Sequence, residues 1–253
     1  MQIVIPMSGL GSRFVQAGYS DIKPLIQVDG KLIIEYVIKL FPGETNFLFI
    51  CNNDHLKSTP LRAVLKRLMP SGQVVGVQHY KKGPVWAVLE AKEYLRDNEP
   101  VIVNYCDFYA VWDYPGFKAM TEATGCAGAI ACYKGFHPHL LGPNLYASCR
   151  TDANDHLIEI REKHSWTEDK MQSWQSDGTY YFKSGALVKK YFQQLVDEDV
   201  NLNGEYYVSL VYNLLVRHRL PVNIFPVEKF FQWGTPEDLQ EFTYWLEYFR
   251  KTV

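Results

Sequence analysis

Short runs of unbroken apolar residues alternate along this chain with longer stretches in which apolar positions recur every three or four residues. Ile3–Ile5, Phe47–Ile50, Val74–Val77, Val101–Val103 and Ala127–Ala131 are the short runs. They are too brief for helices and rich in β-branched residues, so they read as strands buried on both faces. Helical spacing fills Leu32–Leu40, Leu56–Met69 and Pro84–Arg96, the last with proline at its first position, where a missing N–H does no harm. Strand and helix in alternation predict an α/β fold: a Rossmann-like, mostly parallel sheet with helices on both faces. The alternation loosens after Tyr133. Leu145–Cys149, Leu157–Ile160 and Thr179–Phe182 follow with few helical stretches between them, predicting antiparallel strands in an embedded lobe over about residues 134–183. Helical patterns return at Ser184–Leu195 and Tyr206–His218. A strand at Val222–Pro226 precedes a final helix, Pro236–Arg250. With no repeat, low-complexity tract or linker, residues 1–253 read as one domain.

Composition narrows this picture. Nearly half of the 253 residues are hydrophobic, enough for a substantial core. A formal net charge of −2 argues against a nucleic-acid binder, so any polyanionic ligand must be held by local cations or a metal. The five cysteines are scattered, odd in number and without a CxxC pair, which fits buried free thiols in a reducing compartment. No apolar run approaches membrane-spanning length, and the N-terminus lacks the basic and apolar regions of a signal peptide. The expectation is a soluble, cytoplasmic protein. Its oligomeric state is not legible; the aromatic-rich last helix could pack on its own domain or in a homo-oligomer.

Candidate chemistry begins where the first strand ends. Ile3-Val4-Ile5-Pro6 empties into Met7-Ser8-Gly9-Leu10-Gly11-Ser12-Arg13, with Lys23-Pro24-Leu25 beyond. Small residues let successive backbone N–H groups approach a phosphate chain, and Arg13 and Lys23 supply full charges. Ligands in such sheets bind beyond the carboxyl ends of the strands. The Gly-Lys-Ser/Thr ending of a P-loop is missing, as is the third glycine of the dinucleotide fingerprint. A second strand, Val101-Ile102-Val103, runs through Asn104-Tyr105-Cys106 to Asp107. That carboxylate at the ligand edge suits Mg²⁺, a hard ion that takes few ligands from protein.

Together these segments resemble the signature of the sugar-phosphate nucleotidyltransferases, the nucleoside-diphosphate-sugar pyrophosphorylases and cytidylyltransferases. Met7-Ser8 is a mild variant of the usual residues before the glycines. The resemblance implies a nucleotide-diphospho-sugar transferase-like fold in which the loop from Met7 through Ser8, Gly9, Leu10, Gly11 and Ser12 wraps a triphosphate. It also implies phosphate binding by Arg13 and Lys23, and metal binding by Asp107. Lys82-Gly83-Pro84-Val85-Trp86-Ala87 resembles the segment that approaches the nucleobase, through Gly83 and Pro84; a glycine–proline helix start explains it equally well. Glu162-Lys163 matches a pair whose lysine contacts the acceptor phosphate. Ser176-Asp177-Gly178-Thr179-Tyr180-Tyr181-Phe182 and Asn203-Gly204-Glu205-Tyr206-Tyr207 resemble acceptor-proximal segments, implying Asp177, Gly178 and Glu205 near the acceptor, though the latter also reads as a glycine turn entering a helix. Phe231-Gln232-Trp233-Gly234-Thr235-Pro236-Glu237-Asp238-Leu239 resembles the closing segment of the catalytic domain. Gln232 stands where relatives carry a second metal-binding aspartate; Asp177, Glu205 or water are the other candidates for that ligand.

The implied activity is Mg²⁺-dependent transfer of a nucleoside monophosphate from a triphosphate to a phosphorylated small molecule, with release of pyrophosphate. CTP is favoured. The acceptor is a sugar 1-phosphate or a small non-sugar phosphate such as phosphocholine, a phosphonate or phosphoglutamine, for capsule or lipopolysaccharide precursors. A catalytically silent nucleotide-sensing module on the same fold is the alternative. A glycosyltransferase would carry Asp-x-Asp, but Tyr109 occupies the second position after Asp107.

Overall fold

In a computed structural model, which describes residues 1–250, seven of the nine strands of the main sheet form its central part. They are β1 (Gln2–Met7), β2 (Phe47–Asn52), β3 (Gln73–Val77), β4 (Val101–Asn104), β5 (Gly128–Tyr133), β6 (Trp174–Phe182) and β7 (Val222–Pro226). Their order is β3-β2-β1-β4-β6-β5-β7. The first four are parallel, as are β5 and β7, and β6 runs against both of its neighbours. The sheet is therefore α/β and mostly parallel, as its continuous apolar strands require.

Alternate residues sort the core onto two faces. Ile3 and Ile5 of β1, Phe47 and Phe49 of β2 and Ile102 of β4 pack against the helices Ile33–Lys39, Leu61–Leu68 and Tyr114–Thr124. Val4, Leu48, Ile50, Val101 and Val103 face the helices Pro84–Glu90, Gly185–Asp197 and Val208–Arg217. A strand turns successive side chains to opposite faces, so each strand must be apolar throughout to serve both cores. Among the described residues no helix is long and apolar enough to cross a membrane.

Three expectations change in detail. The helix expected over Leu56–Met69 is two, Asn53–Ser58 and Leu61–Leu68. Pro60 separates them: it offers no N–H, and it holds Thr59 extended at φ −132°, ψ 164°. The helix from Pro84 ends at Glu90, and a single 3₁₀ turn, Lys92–Tyr94, replaces its last part. The helix expected from Tyr206 starts at Val208, because the Tyr206 backbone is paired elsewhere, as described below.

The region 134–183 is joined to the sheet by strand pairing. A hairpin of Ser148–Thr151 and Leu157–Arg161 is fastened to the first residues of β6 through Trp174 and Gln175. Residues 179–182 of the same strand pair with β4 in the middle of the sheet. The pairing with β5 shifts register between Ser176 and Tyr180, at Gly178, whose φ is 102°. This irregularity re-aims Ser176 and Asp177. A two-stranded ribbon, Phe108–Val111 with Lys229–Gln232, carries the chain's last loop back to Asp107.

Candidate active site

Two cavities open at the carboxyl edge of β1 and β4. The loop-side cavity, about 560 Å³, is walled by Met7 through Ser12, by His79, Lys81, Gly83 and Pro84, and by Glu205. The lobe-side cavity, about 360 Å³, is walled by Arg13, Tyr146, Glu162, Lys163, Asp177, Gly178 and Gln232. They share Gly11, Ser12, Lys23, Tyr105, Asp107 and Tyr207. Nearly every residue singled out from the sequence thus reaches one connected site.

The junction is organised by Lys23. It begins a 3₁₀ turn with Pro24 at its second position, and its ammonium donates to Asp107 Oδ2 at 3.1 Å and to the Gly234 carbonyl at 2.9 Å. Trp233 N–H donates to the Asp107 carbonyl at 2.9 Å. Gln232 pairs with Phe108 across the ribbon, so Gln232 and Asp107 are brought together as expected. The Gln232 amide, however, is engaged by Asp238 and lies where a side chain on Gly234 would stand. Asp238 accepts from Thr235 N and Oγ1 at 3.1 and 2.8 Å, and Thr235 Oγ1 accepts from Asp238 N. This reciprocal cap fixes the start of the final helix.

The loop is held from beneath. The Ser8 carbonyl accepts from Asn52 Nδ2 at 3.4 Å and faces His79 Nδ1 at 3.1 Å. Gly11 sits at φ 64° and caps a short helix, Ser12–Gln16, which carries Arg13 to the lobe-side wall. No ion pair of Arg13 occurs among the described residues. Sequence reasoning missed Asn52, His79, Tyr105 and Tyr207. Asn52 ends β2 at the same edge as Asp107 ends its loop, and that placement is the one signal that could have pointed to it.

In the lobe-side cavity, Lys163 is exposed and held at φ 52°, its N–H bonded to the Tyr146 carbonyl at 2.9 Å. Glu162 accepts from Ser209 Oγ, and burial raises its pKa despite that bond and the nearby Lys163 charge. Asp177 is 4% exposed and accepts from Thr179 N at 2.8 Å. Burial still pushes its carboxyl up to about 8. The Tyr146 hydroxyl is buried without a partner among the described residues.

Glu205 walls the loop-side cavity and not the lobe-side one. Residues 202–205 close a tight turn, with Asn203 and Gly204 at φ 55° and 80° and the Leu202 and Glu205 N–H groups bonded to each other's carbonyls. Positive φ at both central residues is the type I′ arrangement that Asn-Gly favours. Beyond the turn, Tyr206 N–H donates to the Lys82 carbonyl at 2.9 Å, and Val85 N–H to the Tyr206 carbonyl at 3.1 Å. Tyr207 OH donates to Glu205 Oε2 at 2.9 Å.

Among the described residues no three His, Cys, Asp or Glu side chains gather to hold a metal. Asp107 is the one carboxylate common to both cavities. Mg²⁺ in phosphate sites takes one or two protein carboxylates and fills the rest with phosphate oxygens and water. The donor set fits such an ion and does not fit an all-protein cage.

The sequence matches the family described as "MobA-like NTP transferase domain" over residues 3–172. A nucleoside-diphosphate-sugar pyrophosphorylase from Vibrio cholerae RC9 superposes with a TM-score of 0.76 at 20% identity, covering 96% of this chain and 100% of that one. A UDP-glucose pyrophosphorylase complexed with UDP-glucose gives 0.74 at 17%, covering 99% and 98%. An inositol-1-phosphate CTP transferase from T. maritima gives 0.69 at 16%, covering 97% and 93%. These likenesses show the shared fold. No curated protein sequence matches the chain.

Proposed function

Because the chain belongs to the MobA-like NTP transferase family, we propose that it transfers a nucleoside monophosphate, CMP by preference, to a phosphorylated small molecule. The meeting of two cavities at Lys23 and Asp107 carries this reading. The triphosphate lies along the small-residue loop, and the acceptor enters from the side of Lys163. An acceptor phosphate oxygen attacks the α-phosphorus; the bond from that phosphorus to the β-bridging oxygen breaks, and pyrophosphate leaves with the electron pair. A phosphate monoester is already anionic at neutral pH, so no general base is needed. The barrier is the meeting of two anions, and positioning and charge neutralisation lower it.

Lys23, at the junction, faces the α-phosphate; Arg13, where the loop ends, neutralises phosphate charge. Lys163 holds the acceptor phosphate, while Asp177 and Glu162 face the rest of that molecule. Asp107, with the Gln232 amide beside it, would hold Mg²⁺. Bound there, the ion supplies further neutralisation of the triphosphate.

The acceptor is a sugar 1-phosphate or a small non-sugar phosphate, and a role in capsule or lipopolysaccharide precursor synthesis follows from such products. Pyrophosphate release over a panel of triphosphates and acceptor phosphates tests the reading: release with at least one pair is expected. Gln232, whose amide is tied to Asp238, favours the alternative of a silent nucleotide sensor. Tight nucleotide binding with no release for any pair would establish that alternative.

A further inference from the structure

Beside the donors of the loop and of Lys23 and Lys81, two side chains on the wall of the loop-side cavity present hydrogen-bond acceptors. His79 Nδ1 lies 3.1 Å from the Ser8 carbonyl. A carbonyl can only accept, so Nδ1 must carry the proton; in the neutral imidazole Nε2 is then bare and an acceptor. Glu205 adds a second acceptor. Tyr207 donates to its Oε2, leaving Oε1 without a donor among the described residues. Both residues wall the cavity that also contains Met7–Ser12, Gly83 and Pro84.

Neither placement is incidental to packing. Glu205 is delivered by the tight turn at Asn203-Gly204 and by the two backbone bonds of Tyr206 to the Lys82–Val85 segment. A Cβ on Gly83 would stand 2.8 Å from the Tyr206 N and O atoms, so this close approach exists because residue 83 is glycine. His79 follows β3 and is clamped to the loop that follows β1.

We propose that His79 and Glu205 read the exocyclic amino group of the nucleobase, making this a site for cytosine in preference to uracil. The inference rests on the triphosphate occupying the loop-side cavity as described above. Cytosine and uracil have the same size and differ at this edge. Cytosine offers two amino N–H donors, whereas uracil presents a carbonyl oxygen there, which two acceptors repel. Carboxylate acceptance from the cytosine amino group is an established pairing. A matched pair of this kind is worth about 5- to 150-fold in discrimination.

The test is equilibrium binding of CTP and of UTP to the full chain without acceptor, in parallel with pyrophosphate release. The native protein is expected to bind CTP at least about fivefold more tightly. Glu205→Gln replaces one acceptor oxygen by a donor. His79→Phe keeps a flat ring but has no acceptor, and it gives up the contact with the Ser8 carbonyl. Each should narrow the CTP/UTP ratio by weakening CTP, with the thermal midpoint unchanged for Glu205→Gln. Equal native affinities, or a ratio untouched by both substitutions, overturn the proposal, as does failure to bind either nucleotide. If a CTP preference survives while no pyrophosphate is released, the transferase reading falls and the base reading stands.

Discussion

The Lys23 ammonium lies 3.1 Å from Asp107 Oδ2 and 2.9 Å from the Gly234 carbonyl, so one side chain ties the first loop of the chain to its last. Lys23→Ala is expected to lower turnover by more than tenfold, about 1.4 kcal/mol of barrier. The thermal midpoint should move little, since Asp107 is 28% exposed and water can replace the ammonium; steady-state kinetics with thermal melts check both. Asp177 makes a different kind of prediction. Its folded pKa, about 8 through burial, lies above the ordinary 3.8. Between those values the native state holds a proton that the unfolded chain has lost. Stability therefore falls as pH rises through this window, by up to about 1.4 kcal/mol per unit, and levels off above pH 8. Asp177→Asn removes that slope: thermal melts from pH 5 to 8 should converge for the variant relative to the native protein. Asp107 was legible because it follows closely on an apolar strand, and Lys23 because Lys-Pro-Leu follows the glycine loop. The burial of Asp177 was not, because it depends on the register shift in β6, which no local pattern encodes.

At the scale of elements, the site depends on segments that exchange backbone bonds across long stretches of sequence. The pairing of Tyr206 with Lys82 and Val85 is the clearest case. Gly83→Ala would force a side chain to φ 84°, ψ 177° and into the Tyr206 backbone, a region essentially confined to glycine and costing about 1–3 kcal/mol before the collision is counted. Triphosphate binding should weaken at least tenfold, while Gly204→Ala, with nothing within 4 Å of the added carbon, should cost only the strain of its positive φ. Isothermal titration of the two variants separates lost contact from lost conformational freedom. The same pairing decides which cavity Glu205 lines. The Asn203-Gly204 turn was readable, but the wall it would join was set by a distant partner. Strands of unbroken apolar residues were readable because both faces of the sheet are covered. Helix ends were less so: Pro60 split one helix, and the β-like pairing of Tyr206 delayed another.

For the whole molecule, the position of β6 decides how the parts unfold. Its first residues, Trp174 and Gln175, hold the hairpin over the lobe-side cavity; its last, Thr179–Phe182, fill the space between β4 and β5. The sequence suggested an embedded lobe at about residues 134–183 because helical spacing disappears there. It could not show that one strand belongs to both lobe and core, since strand length and partner are set only when the sheet assembles. Freeing the hairpin leaves the start of β6 paired on one side only, to Tyr133 and Cys132 of β5, and withdrawing β6 splits the sheet, so the two regions should melt as one cooperative unit. Trp166 reports on the hairpin region: its ring lies 4.8 Å from the Arg150 guanidinium and 4.7 Å from that of Arg161. The fluorescence lost in Trp166→Phe, followed through urea, isolates that signal from the other tryptophans. It is expected to vanish at the same urea concentration as the far-UV circular dichroism of the whole chain. A hairpin signal that disappears at distinctly lower urea would mean that the wall of the lobe-side cavity opens independently of the sheet that leads to Asp107.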